Sequence, residues 1–212
     1  MREMRMPTAR ELMADAVVHA LGLGLGVIGA VAIMVVVLEG STSGRLLPIG
    51  VYATGLIAML ACSATYNLLR TSPRRDWLRR LDHAAIFVMI AGTYTPFATL
   101  AFPEPWSSGL TVAVWTAAAA GVAVKLWRPR RLERISVVLY LALGWIGVVA
   151  LDPFLHALAT PTLVLLLAGG VVYSAGVAFH LATHRRYQNA AWHGCVLVAA
   201  CIHYAAVFSL VA

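Results

Sequence analysis

Seven long apolar segments dominate this sequence and leave few folds open to it. They run approximately over residues 16–38, 47–69, 82–101, 109–127, 134–151, 161–182 and 189–211. Each is close to the roughly 20 residues that an α-helix needs to cross a hydrocarbon core of ~30 Å. Charged residues make up only 12% of the chain, too few to cover the surface of a soluble domain. The sequence therefore predicts an all-α integral membrane protein with one seven-transmembrane-helix domain over residues 1–212.

The distribution of basic residues predicts how the bundle sits in the membrane. Of the 16 Lys and Arg residues, all but Arg45 lie before the first segment or near residues 70–80, 125–134 and 183–188. Short cytoplasmic loops carry the excess of Lys and Arg in membrane proteins. We therefore expect a multi-pass protein of the bacterial inner (plasma) membrane, with a cytoplasmic N-terminus and an external C-terminus.

The basic runs also bear on the partners of this chain. They occupy loops between apolar segments and form no basic patch with interleaved aromatic residues, which is the pattern expected of nucleic-acid binding. The predicted partners are membrane lipids and not nucleic acid, and the oligomeric state stays open.

Polar side chains of five segments fall in one layer near the cytoplasmic surface once this orientation is adopted. They are His19, Ser63, Asn67, Asp82, His83, His180, His184, Asn189 and His193. Three pairs are spaced i, i+4, which places both members on one helix face. Ionisable groups inside a membrane are costly and usually face the bundle interior or an aqueous cavity. The layer therefore predicts a polar site open to the cytoplasm.

Ordinary structural roles compete with this interpretation. Asp82 at a helix start can cap its own helix, and Ser63 can bond back to a carbonyl of its own helix. Histidines close to the surface, such as His184, fit the headgroup region. For His193, an interhelical hydrogen bond is a fair alternative.

Several of these residues carry a family resemblance. Residues 81–86 (LDHAAI), running on through 91–97 (AGTYTPF), resemble the third-helix signature of hemolysin III-like proteins, the bacterial relatives of the progestin and adipoQ receptors. Residues 189–193 (NAAWH), with His203-Tyr204, resemble the last-helix signature. Glu11 with His19 and Gly22 is similar to the N-terminal pattern, although Asp15 stands where an Asn is usual. The resemblance covers nearly the whole chain, with the same helix count and orientation.

The resemblance implies a metal site, usually zinc, with one histidine from the second helix, two from the seventh and a nearby aspartate. Three imidazoles leave one zinc position for a water whose pKa the metal lowers. Ser63, Asp82 and His193 stand at matching positions, and they are the candidate catalytic residues. His193 and Asp82 are also the remaining candidate metal ligands.

Two of the three implied histidines are replaced here, by Asn67 and Asn189. Amide oxygens are poor zinc ligands beside imidazole, so we expect a site that is degenerate for zinc. A metal-free hydrogen-bonded network through Asn67 and Asn189 is the favoured interpretation. His180 and His184, one turn apart, are candidate substitute ligands.

Three functions compete on this evidence. The first is a hemolysin III-like membrane protein with a role in membrane homeostasis or stress, to which cytolytic activity attaches only through the family name. The alternative is a zinc-dependent hydrolase of lipid amide bonds. A proton or ion conductor is the weaker alternative, because the polar layer does not continue visibly to the external face.

Overall fold

A computed structural model describes residues 6–40, 43–127, 133–182 and 184–212. Its helices are α1 (Ala9–Glu39), α2 (Leu46–Leu68), α3 (Arg75–Ala101), α4 (Trp106–Trp127), α5 (Glu133–Gly144), α6 (Leu151–Ala157), α7 (Thr160–Leu181) and α8 (Gln188–Phe208). Short 3₁₀ turns cover Ser43–Arg45 and Ile146–Val148. The described residues contain no strand, and the all-α prediction is confirmed. The basic residues at positions 2, 5, 128, 130 and 131, which contribute to the orientation argument, lie outside the described residues.

Membrane-spanning length is met by six of these helices, namely α1, α2, α3, α4, α7 and α8. One further candidate span, the fifth in chain order, is broken. Ile135–Val148 and Leu151–Ala157 together are long and apolar enough to cross a membrane, but they meet at an angle of 54°. Six or seven crossings are therefore available among the described residues, depending on whether the bent pair counts as one span.

The break corrects the expectation of a continuous fifth helix over 134–151. Pro153 has no backbone N–H and would clash with the carbonyl four residues before it, so a straight helix cannot continue through this stretch. The hydroxyl of Tyr94 stabilises the break from the side of α3. It donates to the carbonyl of Gly144 at 2.6 Å and accepts from the N–H of Gly147 at 3.0 Å.

Helix α1 begins earlier than hydropathy alone predicts. Thr8 and Glu11 form a reciprocal capping box, in which each side chain accepts a hydrogen bond from the other residue's backbone N–H. The helix therefore starts at Ala9, seven residues before the predicted boundary, and its 31 residues span about 46 Å. The two extra turns carry acidic residues into the bundle.

The order of packing brings the first and last helices together. α2 packs between α1 and α3, α3 packs on α4, α7 packs on α8, and α8 also packs on α1. Glycines allow the close approach of α1 to α2 and α8. A Cβ at Gly26 would collide with the Leu60 side chain of α2, and one at Gly29 would press on the Tyr204 ring of α8.

Two contacts define the two ends of the bundle. At one end, the backbone N–H of Tyr187, just before α8, donates to Glu11 near the start of α1 at 2.8 Å. At the other end, Arg45 in the turn between α1 and α2 donates to the carbonyl of Val211 at 3.3 Å. The start of α1 and the end of the chain therefore lie at opposite ends of the bundle.

Candidate functional site

Asp15 is the centre of a buried polar cluster at the contact between α1 and α8. Its side chain is 4% exposed, and its Oδ1 lies 2.6 Å from Nδ1 of His193. The His193 side chain is itself only 13% exposed. A hydrogen bond this short, between a carboxylate and an imidazole removed from water, is of the strong charge-assisted kind when the imidazole is protonated.

His19 completes the cluster from the same helix face as Asp15. It lies one turn after Asp15, and its Nε2 is 3.8 Å from the same oxygen, Oδ1. The rings of His19 and His193 are 4.3 Å apart between centroids and tilted by 51°. Nε2 of His19 is buried and has no hydrogen-bond partner within the described part of the chain. Buried polar atoms in proteins are almost always paired, so this nitrogen calls for an explanation.

Arg70 faces the other oxygen of the carboxylate. Its guanidinium Nη2 lies 3.9 Å from Oδ2 of Asp15, and its side chain is 32% exposed. The Arg70 Nε donates to the backbone carbonyl of Asn67 at 3.2 Å, which fixes the guanidinium beside the end of α2. The two carboxylate oxygens therefore have different neighbours: two imidazoles on one side and a guanidinium on the other.

Asp82 and Ser63 lie on the α2–α3 side of this cluster. The half-buried Asp82 carboxyl group interacts with the Ser63 hydroxyl and with the His193 imidazole. Of the three catalytic candidates predicted from the sequence, Ser63 and Asp82 are hydrogen-bonded to each other, and His193 lies close enough to Asp82 to interact with it electrostatically. His193 therefore contacts the carboxylate of Asp15 from α1 and interacts electrostatically with that of Asp82 from α3.

The two asparagines at the implied ligand positions occupy different surroundings. The amide nitrogen of Asn67 donates to the carbonyl of Ser63 at 3.0 Å, a bond within its own helix. Asn189 is half-buried in the first turn of α8, one turn before His193.

The other histidines of the predicted layer lie apart from Asp15. The His180 ring packs against Trp192 with 5.1 Å between centroids, and His184 is exposed in the turn after α7. His83 interacts electrostatically with Lys125 and His180. Within the described residues, the group of side chains able to share one metal ion consists of Asp15, His19 and His193. The candidate substitute ligands His180 and His184 do not belong to this group.

Comparison with known proteins decides the family. A model of the haemolysin-III related family matches residues 9–204, which is nearly the whole chain. The chain belongs to this family.

Relatives in bacteria and animals agree with that assignment. The chain is 30% identical to "Hemolysin-3" of Bacillus cereus over 89% of this chain and 86% of that protein. It is 28% identical to "Hemolysin-3 homolog" of Bacillus subtilis (strain 168) over 91% and 90%. "Monocyte to macrophage differentiation factor" of Homo sapiens is 25% identical over 74% of this chain and 68% of that protein. No solved structure matches.

The zinc set implied by the family resemblance does not fit the residues of this chain. It requires imidazoles where this chain has Asn67 and Asn189, and the Asn67 amide nitrogen is already bonded to its own helix. Its remaining imidazole, His193, directs Nδ1 to Asp15. No catalytic step through zinc at that position follows from this structure.

Sequence reasoning placed His19 in the polar layer but did not select Asp15. A signal for it was present in the spacing. Glu11, Asp15, His19, Gly22 and Gly26 are all buried, and successive members are separated by four, four, three and four residues. That is one continuous stripe along a helix face.

Proposed function

We propose that this protein is a multi-pass plasma-membrane protein that acts in membrane homeostasis or stress through a polar centre facing the cytoplasm. The centre lies where related proteins are expected to keep zinc, but it is built around Asp15 and His193 in place of the full histidine set. Membrane lipids are its partners, and the cytoplasmic orientation rests on the distribution of basic residues.

The buried Asp15–His193 contact is the observation that carries this proposal. Charged groups inside a membrane bundle are expensive, and they are found mainly at functional sites. A purely structural contact at this place could be made by apolar side chains of similar volume at lower cost. Retaining a carboxylate, two imidazoles and a guanidinium together therefore points to a working site.

A complementation experiment tests the proposal in cells. A strain lacking the gene is compared with strains carrying the wild type or Asp15→Asn, with protein levels matched by immunoblot. Membrane order is followed with an environment-sensitive dye during cold shock and detergent stress. The deletion should change membrane order, the wild type should restore it, and Asp15→Asn should not. Full restoration by Asp15→Asn, or an unchanged deletion strain, contradicts the proposal.

A hydrolase of lipid amide bonds is the second candidate, favoured by the Ser63–Asp82 hydrogen bond and the electrostatic interaction of Asp82 with His193. In such a reaction Asp82 takes a proton from water, whose oxygen attacks the acyl carbon of the lipid. The Ser63 hydroxyl donates a hydrogen bond to the resulting oxyanion. The C–N bond then breaks as Asp82 passes that proton to the leaving amine, which returns Asp82 to the carboxylate form.

Product analysis separates the two candidates. The purified protein is reconstituted into phospholipid vesicles that contain N-acyl lipids, and released fatty acid is measured by mass spectrometry. Release by the wild type that Asp82→Ala abolishes supports the hydrolase. If no fatty acid is released from lipids of any N-acyl chain length, with or without added divalent metals, the hydrolase is contradicted and the homeostasis role remains. The weaker alternative, a proton or ion conductor, is tested by proton flux across the same vesicles. A flux no higher than that of protein-free vesicles contradicts this alternative.

A further inference from the structure

Three side chains of metal-binding type meet between α1 and α8 in an arrangement that the described residues do not repeat elsewhere. We propose that Asp15, His19 and His193 together hold one divalent first-row transition metal ion. The proposal concerns the same centre as the proposed function and rests on its being a working site. It differs from the implied family site because α1 supplies two ligands and α2 supplies none.

The chemistry of the set matches such an ion. Two imidazoles and one carboxylate form the ligand set of catalytic zinc sites and of non-haem iron(II) sites, and both keep coordination positions open for water or substrate. The ligand atoms of Asp15, His19 and His193 all lie within 4.8 Å of one another. Around a tetrahedral zinc ion, ligand atoms are roughly 3.3 Å apart. The 2.6 Å contact is closer than this and the 3.8 Å contact is wider, so small side-chain rotations accommodate an ion.

The unpaired nitrogen of His19 is the strongest single observation. Nε2 is buried, points toward Oδ1 of Asp15 at 3.8 Å, and has no hydrogen-bond partner within the described residues. A buried imidazole nitrogen without a hydrogen-bond partner is costly in a membrane bundle. A metal ion between this nitrogen and the carboxylate gives the nitrogen a partner, and neutral imidazole is the form that binds metals.

The division of the carboxylate between its neighbours also suits a metal. Oδ1 of Asp15 faces both imidazoles, whereas Oδ2 faces Arg70. Carboxylates that ligate a metal are typically held by a further group on the second oxygen, which fixes their orientation. Arg70 is in that position, 3.9 Å from Oδ2, where its positive charge attracts this oxygen without a direct hydrogen bond.

Substitution of the two family histidines is consistent with the shift of the site to α1. Asn67 and Asn189 remove two nitrogen ligands from the α2–α8 side, while Asp15 adds an anionic ligand on the α1 side. His193 is shared by both arrangements. Asp82 interacts electrostatically with His193 and would add negative charge near the ion.

Metal content measured on purified protein tests the site directly. The tag is removed, bound metal is stripped with chelator, and the protein in detergent is reloaded separately with Zn²⁺, Fe²⁺, Mn²⁺ or Co²⁺. Elemental analysis should find a stoichiometric amount of at least one ion, and the Co²⁺ form should show visible absorption bands typical of nitrogen and oxygen ligands. His19→Gln and Asp15→Asn should both abolish binding.

Control variants locate the ion. His180→Gln lies in the same layer outside the three ligands, and Asn189→Ala removes the side chain at an implied family position. Both should keep the metal. Loss of metal in Asn189→Ala with retention in Asp15→Asn overturns the proposal, as does an empty wild type after all four reloadings. Because ligand variants can misfold, the thermal midpoint of the wild type is also compared with and without metal, and no increase with any ion counts against the site.

The outcomes separate this proposal from the proposed function. If the protein binds metal through His19 but its Asp15→Asn variant restores membrane order in the deletion strain, the metal site is supported and the proposed function is contradicted. If the wild type binds no metal but its Asp15→Asn variant fails to complement the deletion, the proposed function is supported and the metal site is contradicted.

Discussion

The stability of the bundle should depend strongly on Asp15, and a second Asp–His pair in the chain supplies a matched control. Asp15 and His193 lie 2.6 Å apart with side chains 4% and 13% exposed. Asp152 and His156 lie 3.3 Å apart with side chains 80% and 78% exposed. The residue types are the same, and burial is the main difference between the two pairs.

Removing one partner of a buried ion pair costs about 3–5 kcal/mol, because the other partner is left without compensation. In Asp15→Asn, His193 loses its carboxylate partner at 2.6 Å and the nearby Arg70 loses a counter-charge. Exposed pairs contribute roughly 0–1 kcal/mol, since water and salt screen them. We therefore expect Asp15→Asn to lower the free energy of unfolding by about 3–5 kcal/mol. Asp152→Asn should change it by less than about 1 kcal/mol.

The assay is thermal unfolding in detergent with excess chelator, so that lost metal binding does not contribute. Intrinsic fluorescence suits this protein because Trp192 neighbours His193 in α8. For a chain of this size the expected loss corresponds to a midpoint decrease on the order of 10 °C. A double-mutant cycle with His193→Gln should show coupling, because the two side chains are in contact. Equal small effects from Asp15→Asn and Asp152→Asn would refute the reasoning.

Three further outcomes follow from the fold. Gly26→Leu should lower the thermal midpoint by overpacking against Leu60, at a cost of about 1–3 kcal/mol, whereas Gly24→Leu, which has open space at its Cβ, should not. Tyr94→Phe should cost about 1–3 kcal/mol, because backbone groups at 144–147 lose their partner, and limited proteolysis of the α5–α6 break should accelerate. A C-terminal alkaline phosphatase fusion should be active and a fluorescent-protein fusion dark if the C-terminus is external, and the reverse result contradicts the assigned orientation.

Much of the fold follows from hydropathy because the membrane imposes a length on each helix. Six of the seven predicted segments match helices of the structure, with ends that differ by up to seven residues. The fifth was predicted as continuous because its residues are apolar throughout. Two specific effects break it: Pro153 cannot join a straight helix, and Tyr94, from a distant part of the sequence, bonds to the turn. A hydropathy average contains neither effect.

The candidate site was predicted only in part, for a related reason. Hydropathy set the start of the first segment at residue 16 and so left Asp15 outside it. The capping box that extends α1 to Ala9 is a local signal that was readable from Thr8 and Glu11. By contrast, the pairing of α1 with α8 joins residues 178 positions apart. No spacing within one segment indicates which imidazole will meet which carboxylate.

Glu11 connects these local and distant features. Its side chain caps α1 through Thr8 and also accepts the N–H of Tyr187 at 2.8 Å, immediately before α8 begins. Asp15 follows one turn later on the same face, opposite His193, which lies six residues beyond Tyr187. Glu11 therefore fixes the position of α1 along α8, and that position determines whether Oδ1 of Asp15 meets the imidazole. The carboxylate of Glu11 is thus required to position the carboxylate of Asp15, which is the one that we propose binds the metal.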